Sequence, residues 1–198
     1  VPLHSRTHSS ISNTKTDILS QIKAKSSIFN AHLAVSRVIR DELRNITNTE
    51  THLIFNPINF ATPIIRDHSK FLFIGRIDKN KQVGQLLENF QYIEGHWSLD
   101  IFGTTGNKER DQDFKQKIHH LNLEKNITFH GWKENPWNEI QSMGTLLLNS
   151  QLEGFSLVIA EAMMRGIPAL SSDCPVGPSE IIKNNENGWL YEIGDMKT

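Results

Sequence analysis

Two cations and two carboxylates stand out by where they fall. In GRIDKNK, Gly75 closes the apolar run FLFI and is followed by Arg76 and, five residues further on, Lys81. A glycine at a strand end lets backbone approach a ligand, and two cations beside it suit a diphosphate, although a solvated basic loop would carry the same letters. Further along, Glu153 and Glu161 stand on either side of GFSLVIA. Leu157 to Ala160 are apolar around a helical wheel, as in a buried helix. A carboxylate beside them loses solvation unless something donates to it, and each charge-assisted hydrogen bond contributes about 1.5 to 3 kcal/mol. Gly154 permits a tight turn, Ser156 can cap the helix, and Gly166-Ile167-Pro168 stops it. Glu153 is thereby left in the loop and Glu161 a little over one turn inside the helix. A structural glutamate bonded to a backbone amide fits the same pattern, and spacing alone does not separate the two readings.

Other polar clusters point to less. GTTG at 103–106 lacks the full G-x-G-x-x-G or G-x-x-x-x-G-K-[ST] pattern, so a plain turn is expected. Asp111 and Asp113 have D-x-D spacing but lie in NKERDQDFKQKI, an amphipathic helix with no further ligands nearby, which reads as a solvated face. His119 and His120 are adjacent, and adjacent residues on a helix diverge. No metal site and no cofactor are expected.

These residues need elements to hold them. The apolar runs FLFIG, LDIFG, ITFHG, TLLLNS and PALSS alternate with helical patterns at roughly 82–94, 108–121, 136–143 and 156–165. Short apolar strands separated by helices predict a doubly wound α/β fold, a parallel sheet with helices on both faces. Such a sheet binds ligands beyond the carboxyl ends of its strands, where Gly75-Arg76, 103–106, His130-Gly131, 150–155 and 171–180 all fall. Upstream, a helix over TDILSQIKAKSSIFN, the run AHLAVS, a helix over VIRDELRNI and a strand at THLIF precede the proline-punctuated NPINFATPIIRD. A domain boundary is placed near residue 62, giving 1–62 and 63–198.

Composition narrows the classes. The chain has 198 residues, with Lys+Arg 21 against Asp+Glu 22 and a net charge of −1, which gives no overall basic field for nucleic acid. No apolar run is long enough to span a bilayer, and the polar start lacks signal-peptide order, leaving room only for a peripheral membrane contact. The single cysteine, Cys174, has no internal partner, so a reducing, cytoplasmic compartment is expected. The N-x-T sequons at Asn45 and Asn126 then read as chance. The absence of an initiator Met, and the ending YEIGDMKT, read as a piece of a longer protein.

Taken together, Glu153-Gly154-Phe155 with Glu161, GRIDKNK, and SSDCPVGPSEII resemble the retaining glycosyltransferases of the GT-B fold, group 1 family, which includes many bacterial lipopolysaccharide and glycan sugar transferases. The resemblance implies that residues 1–62 are the tail of an acceptor-side Rossmann-like domain with its linker, and 63–198 a nucleotide-sugar donor domain. It implies that Glu153 and the backbone after it, through Gly154, Phe155 and Ser156, hold hydroxyls of the donor sugar and that Glu161 holds the ribose. Gly75, Arg76 and Lys81 would meet the diphosphate, with Gly177 and Ser179 bordering it. Glu180 would border the donor site, and Trp132 would line the base pocket, a packed loop tryptophan being the other reading. A histidine at an N-terminal strand end, here His4 with His8 as rival, completes the family's catalytic set of His4, Arg76, Lys81 and Glu153. Gln82 and Asn149 depart from the family's usual glycine and proline, and most of the acceptor domain is absent.

The implied reaction moves a hexose, with UDP-galactose favoured, to a glycan or lipid-linked saccharide hydroxyl with retention and without a metal. The setting would be the cytoplasm or the cytoplasmic face of the inner membrane. A non-catalytic nucleotide-sugar-binding module and a GT-B sugar-nucleotide epimerase are the alternatives.

Overall fold

A computed structural model describes residues 4–7 and 16–195, with side chains from Ser20 onward. Its strands form two sheets. The first is three-stranded and parallel, in the order β1 (His4–Thr7), β2 (Ala31–Ala34), β3 (Thr51–Leu53). The second is six-stranded and parallel throughout. Its strands are β4 (Ile65–Ile74), β5 (Ser98–Phe102), β6 (Ile127–Gly131), β7 (Ser142–Leu148), β8 (Ala169–Ser172) and β9 (Gly188–Tyr191), in spatial order β6-β5-β4-β7-β8-β9. The expected α/β architecture with a parallel sheet flanked by helices is what is found. The sheets are joined by residues 54–64, and the boundary placed near residue 62 falls inside that connection.

Strand alternation decides which side chains each face buries. Phe73, Leu99, Ile101 and Leu147 point to one face, where they pack under α3 (Val83–Phe90) and α4 (Lys108–His120) against Leu87, Phe90, Phe114 and Ile118. Their neighbours Leu72, Phe102, Leu146 and Leu148 point to the other, against Ile159 and Ala162 of α5 (Leu157–Met164) and Ile182 after α6 (Pro178–Ile181). Two of the helices start at side-chain caps. Asn107 accepts from the amides of Glu109 and Arg110 to open α4, and Ser36 accepts from Ile39 to open α2 (Arg37–Ile46).

A third cluster ties the two sheets together. Ala34, Val35, Ile39 and Leu43 of the N-terminal part bury Val176, with Phe155 packed alongside. The Glu180 carboxylate accepts from the backbone amides of Arg37 at 2.8 Å and Val38 at 3.1 Å, the N-terminus of α2. A carboxylate there satisfies amides that have no helical partner and faces the positive end of the helix dipole.

Several elements differ from expectation. The helix expected over 136–143 is a single 3-10 turn, Pro136–Glu139, after which the chain enters β7 at Ser142. Pairing of Ser142 with Ile65 and Met143 with Arg66 extends the central ladder at the expense of the local helical pattern. For the same reason β4 starts six residues before FLFIG, with a register shift between Arg66 and Phe71. The helix expected to reach residue 94 stops at Phe90, and α1 (Thr16–Lys25) gives way to a 3-10 turn over Ser26–Ile28. The short elements α6 and β9 had no counterpart in the sequence reading.

Candidate functional site

The loops after β4 and β7 are laced into one unit at the carboxyl edge of the sheet. Asn80 donates from Nδ2 to the Leu152 carbonyl at 2.9 Å and accepts at its own carbonyl from the Gln151 amide at 2.8 Å. Asn149 Nδ2 donates to the Gln82 carbonyl at 3.3 Å. Gln82 and Asn149, the residues that depart from the family pattern, are thus bonded to one another, and Gln82 takes a left-handed φ of 47° at the start of α3. In the middle of this lacework Lys81 Nζ is hydrogen-bonded to Glu153 Oε1, which also accepts from Ser150 Oγ at 2.6 Å. Both side chains are largely shielded, 16% exposed for Lys81 and 10% for Glu153. Arg76 differs: its side chain is 80% exposed, with Asp78 at 3.4 Å.

Close approach of backbone fixes two positions. A Cβ on Gly103 would lie 1.9 Å from the Gly75 carbonyl oxygen, so the ends of β5 and β4 can touch only because residue 103 is glycine. Gly177, at φ 102°, lies against Glu153 and Ser156, where an added Cβ would sit 3.2 Å from the Glu153 Cβ. The SSDCPVGPSEII loop is thereby seated on the Glu153 loop. Cys174, buried in that loop, has its thiol pushed up to about 12 by burial and by the nearby Glu153 charge, which keeps it protonated and unreactive.

Ser156 does not cap α5 as expected. It occupies the position before the helix in a left-handed conformation, φ 59° and ψ 60°, and makes no side-chain cap bond. Capping needs an extended residue. Its Oγ is buried without a hydrogen-bond partner among the described residues.

Glu161, half-buried in α5, has the donor that its loss of solvation requires. Its Oε2 accepts from the Trp137 indole Nε1 at 2.9 Å. Arg165 donates from Nη1 to the Glu161 carbonyl at 2.8 Å and lies over the Trp137 ring, 4.3 Å from its centroid. Burial pulls the Arg165 guanidinium below its ordinary value, and the Glu161 charge opposes that. These groups line a cavity of about 560 Å³ whose other walls are Gly75 and Arg76, Phe102 to Thr104, the loop from Trp132 to Pro136, and Pro57 to Asn59 of the connection.

The structure therefore brings Gly75, Arg76, Trp132 and Glu161 into one cavity and gathers Lys81, Glu153 and Gly177 in a neighbouring cluster. Phe155 packs on Phe55 at 5.8 Å and on the third core cluster, and Gly154 is half-buried beside it. Glu180 spends its carboxylate on the amides of α2, and Ser179 lies beside it in the same short helix. His4 is in β1, His8 lies outside the described residues, and nothing about either side chain is described. Trp137 escaped the sequence reading because it was absorbed into an expected helix. Arg165 had a signal, since it lies four residues after Glu161 on the same helical side.

Asp111 is not a solvated carboxylate. It accepts from Thr104 Oγ1 at 2.6 Å and from the Thr105 amide and Oγ1, both at 2.8 Å, fastening the GTTG turn to α4. Burial alone would raise its carboxyl, but these bonds hold it below the usual range. Among the described residues, no group of three or more His, Cys, Asp or Glu is arranged to hold a metal, and no helix is long and apolar enough to cross a membrane.

The pattern of the glycosyl transferases group 1 family matches residues 55–198. The chain belongs to that family. Among curated relatives of this group 1 domain, the lipopolysaccharide 1,6-galactosyltransferase of Escherichia coli (strain K12) is 32% identical over 83% of this chain and 49% of its own length. The enzyme of the same name from Salmonella typhimurium (strain LT2) is 34% identical over 82% and 48%. The chain thus spans about half the length of the curated relatives it matches. Among solved structures, the apo form of the lipopolysaccharide outer core galactosyltransferase WaaB superposes with a TM-score of 0.72 at 31% identity, covering 85% of this chain and 50% of that one. The crystal structure of TarM, at 21% identity, shares the fold with a TM-score of 0.82 over 97% of this chain and 40% of its own.

Proposed function

We propose that residues 63–198 form the nucleotide-sugar donor side of a retaining hexosyltransferase, with residues 1–62 belonging to the acceptor side. UDP-galactose is the favoured donor, and a hydroxyl of a glycan or lipid-linked saccharide the acceptor. The observation that carries this reading is the joint lining of one strand-end cavity by Arg76 and Glu161, with the Lys81–Glu153 pair next to it. A cation and a carboxylate on one cavity fit the diphosphate and ribose of a nucleotide. The galactosyltransferase names of the two enterobacterial relatives favour galactose.

In this reading Trp132, exposed at the mouth, flanks the base, and Glu161 accepts from ribose hydroxyls. Negative charge grows on the departing diphosphate as the anomeric bond breaks, and Arg76 with Lys81 stabilises it more in the transition state than in the ground state. Lys81 exchanges Glu153 for phosphate on donor binding, which releases a Glu153 oxygen toward the sugar. No metal takes part, and the work takes place in the cytoplasm or at the cytoplasmic membrane face.

The test has two arms. Calorimetry of this chain with UDP should show binding, and no binding by a folded chain would remove the donor-site assignment. A longer protein containing the chain, given labelled UDP-galactose with and without a lipopolysaccharide-core acceptor, should transfer sugar only with acceptor and be unaffected by EDTA. Release of an epimerised free sugar without acceptor would support the epimerase alternative instead.

A further inference from the structure

Glu161 is held from outside its own helix. Its carboxylate accepts from an indole that has contacts of its own. Trp137 is in the 3-10 turn opened by Pro136, its carbonyl accepts from the Ile140 amide at 3.4 Å, and its ring is covered by Arg165 at 4.3 Å. Arg165 is in turn anchored to the Glu161 backbone carbonyl, so the three residues close a ring of contacts on the cavity wall.

We infer that Trp137 is a positioning residue for nucleotide recognition. Its Nε1–H occupies Glu161 Oε2 and so turns the other carboxylate oxygen toward the hydroxyls of a nucleoside diphosphate, while Arg165 clamps the indole in that pose. A glutamate has three rotatable side-chain bonds, and its carboxylate offers about four lone-pair positions. Held at one oxygen by the indole, it presents the remaining oxygen in one orientation. A hydrogen bond to a vicinal diol then forms without the entropy loss of ordering the side chain. The inference rests on the donor-site reading above, and it concerns residues outside the set that the sequence assigns to the donor.

The decisive variant is Trp137→Phe, which keeps an aromatic ring under Arg165 but removes the N–H together with the five-membered ring that carries it. The probes are UDP and its 2′-deoxy and 3′-deoxy analogues, titrated into this chain by calorimetry. Wild type should prefer UDP to at least one analogue. Trp137→Phe should weaken UDP by roughly three- to tenfold and leave that analogue unchanged, because the analogue already lacks the contact being misaligned. In a Glu161→Ala background the same change should add nothing, since its effect runs through Glu161. A purely structural wall would instead lower all three affinities equally, and that outcome, or an unchanged preference, overturns the proposal. If Trp137→Phe does not fold, Arg165→Met serves: it leaves the N–H, frees the ring, and should reduce the same preference, an unchanged preference again overturning the idea. Wild type that is folded yet fails to bind UDP would overturn the donor-site reading itself, a failure distinct from binding without any change in preference.

Discussion

Lys81 already has a partner, and that changes what its removal and the removal of Glu153 should do. If Glu153 served only donor hydroxyls, Glu153→Gln would leave UDP, which has no sugar, untouched. Because Glu153 holds the Lys81 ammonium, which the proposed function assigns to the diphosphate, Glu153→Gln should instead tighten UDP by a few-fold while reducing discrimination among UDP-sugars. Side-by-side calorimetry with UDP and UDP-galactose checks both effects, and a loss of UDP affinity in Glu153→Gln would contradict the exchange. Glu161→Ala should cost UDP binding about 1 to 3 kcal/mol, since it removes a charge-assisted acceptor. The placement of Arg76, Lys81, Glu153 and Glu161 at the strand-end edge was readable because each follows a strand-like run or brackets a helix. Their pairing was not, because Lys81 and Glu153 are separated by 72 residues and meet only when two strands become neighbours. The contact between Trp137 and Glu161 was hidden in the same way.

At the level of elements, the edge that holds the site depends on loops pressed together. Gly103→Ala places a methyl group on the Gly75 carbonyl, which cannot rotate away as a side chain would. It should destabilise the chain by about 1 to 3 kcal/mol or more and disturb the Gly75–Arg76 loop, as measured by denaturant unfolding together with UDP affinity. The GTTG turn depends on charge as well. The folded-state Asp111 carboxyl is depressed, so its contribution is present above the unfolded carboxylate range, near pH 4, and fades as pH falls through its lower folded value. Asp111→Asn should accordingly lower the thermal midpoint at pH 7, and the gap to wild type should close at strongly acid pH. The strands ITFHG and LDIFG and the helix at 108–120 were legible from short apolar runs and regular helical spacing. The 3-10 turn at Pro136–Glu139 and the long β4 were not, because the pairing of β4 with β7 sets their limits. Asp111 was misjudged because its partners, Thr104 and Thr105, lie before the helix and not on it.

For the whole molecule, the alternation of apolar runs with helical segments was enough to give a parallel α/β sheet, while the joint between the two sheets left no periodic trace. That joint is Glu180 on the amides of α2, over the cluster around Val176. Glu180→Ala should remove about 0.5 to 2 kcal/mol, as loss of a helix cap does, and should speed hydrogen exchange at the Arg37 and Val38 amides while leaving those of β4 and β5 protected. Charge distribution is the other property of the whole. With a net charge of −1 the chain exerts little long-range pull on an anion, and Lys81 is neutralised in place by Glu153. The exposed guanidinium of Arg76 is the cavity-lining cation that reaches furthest into solvent. Exposed charges act on diffusional encounter and are screened over about 10 Å at 0.1 M salt, whereas shielded ones act after docking. On the proposed donor assignment, the two cations divide a nucleotide's visit between them. Arg76 then governs how often it arrives, so Arg76→Ala should flatten the salt dependence of the association rate, and Lys81 governs how long it stays, so Lys81→Ala should be felt in the dissociation rate.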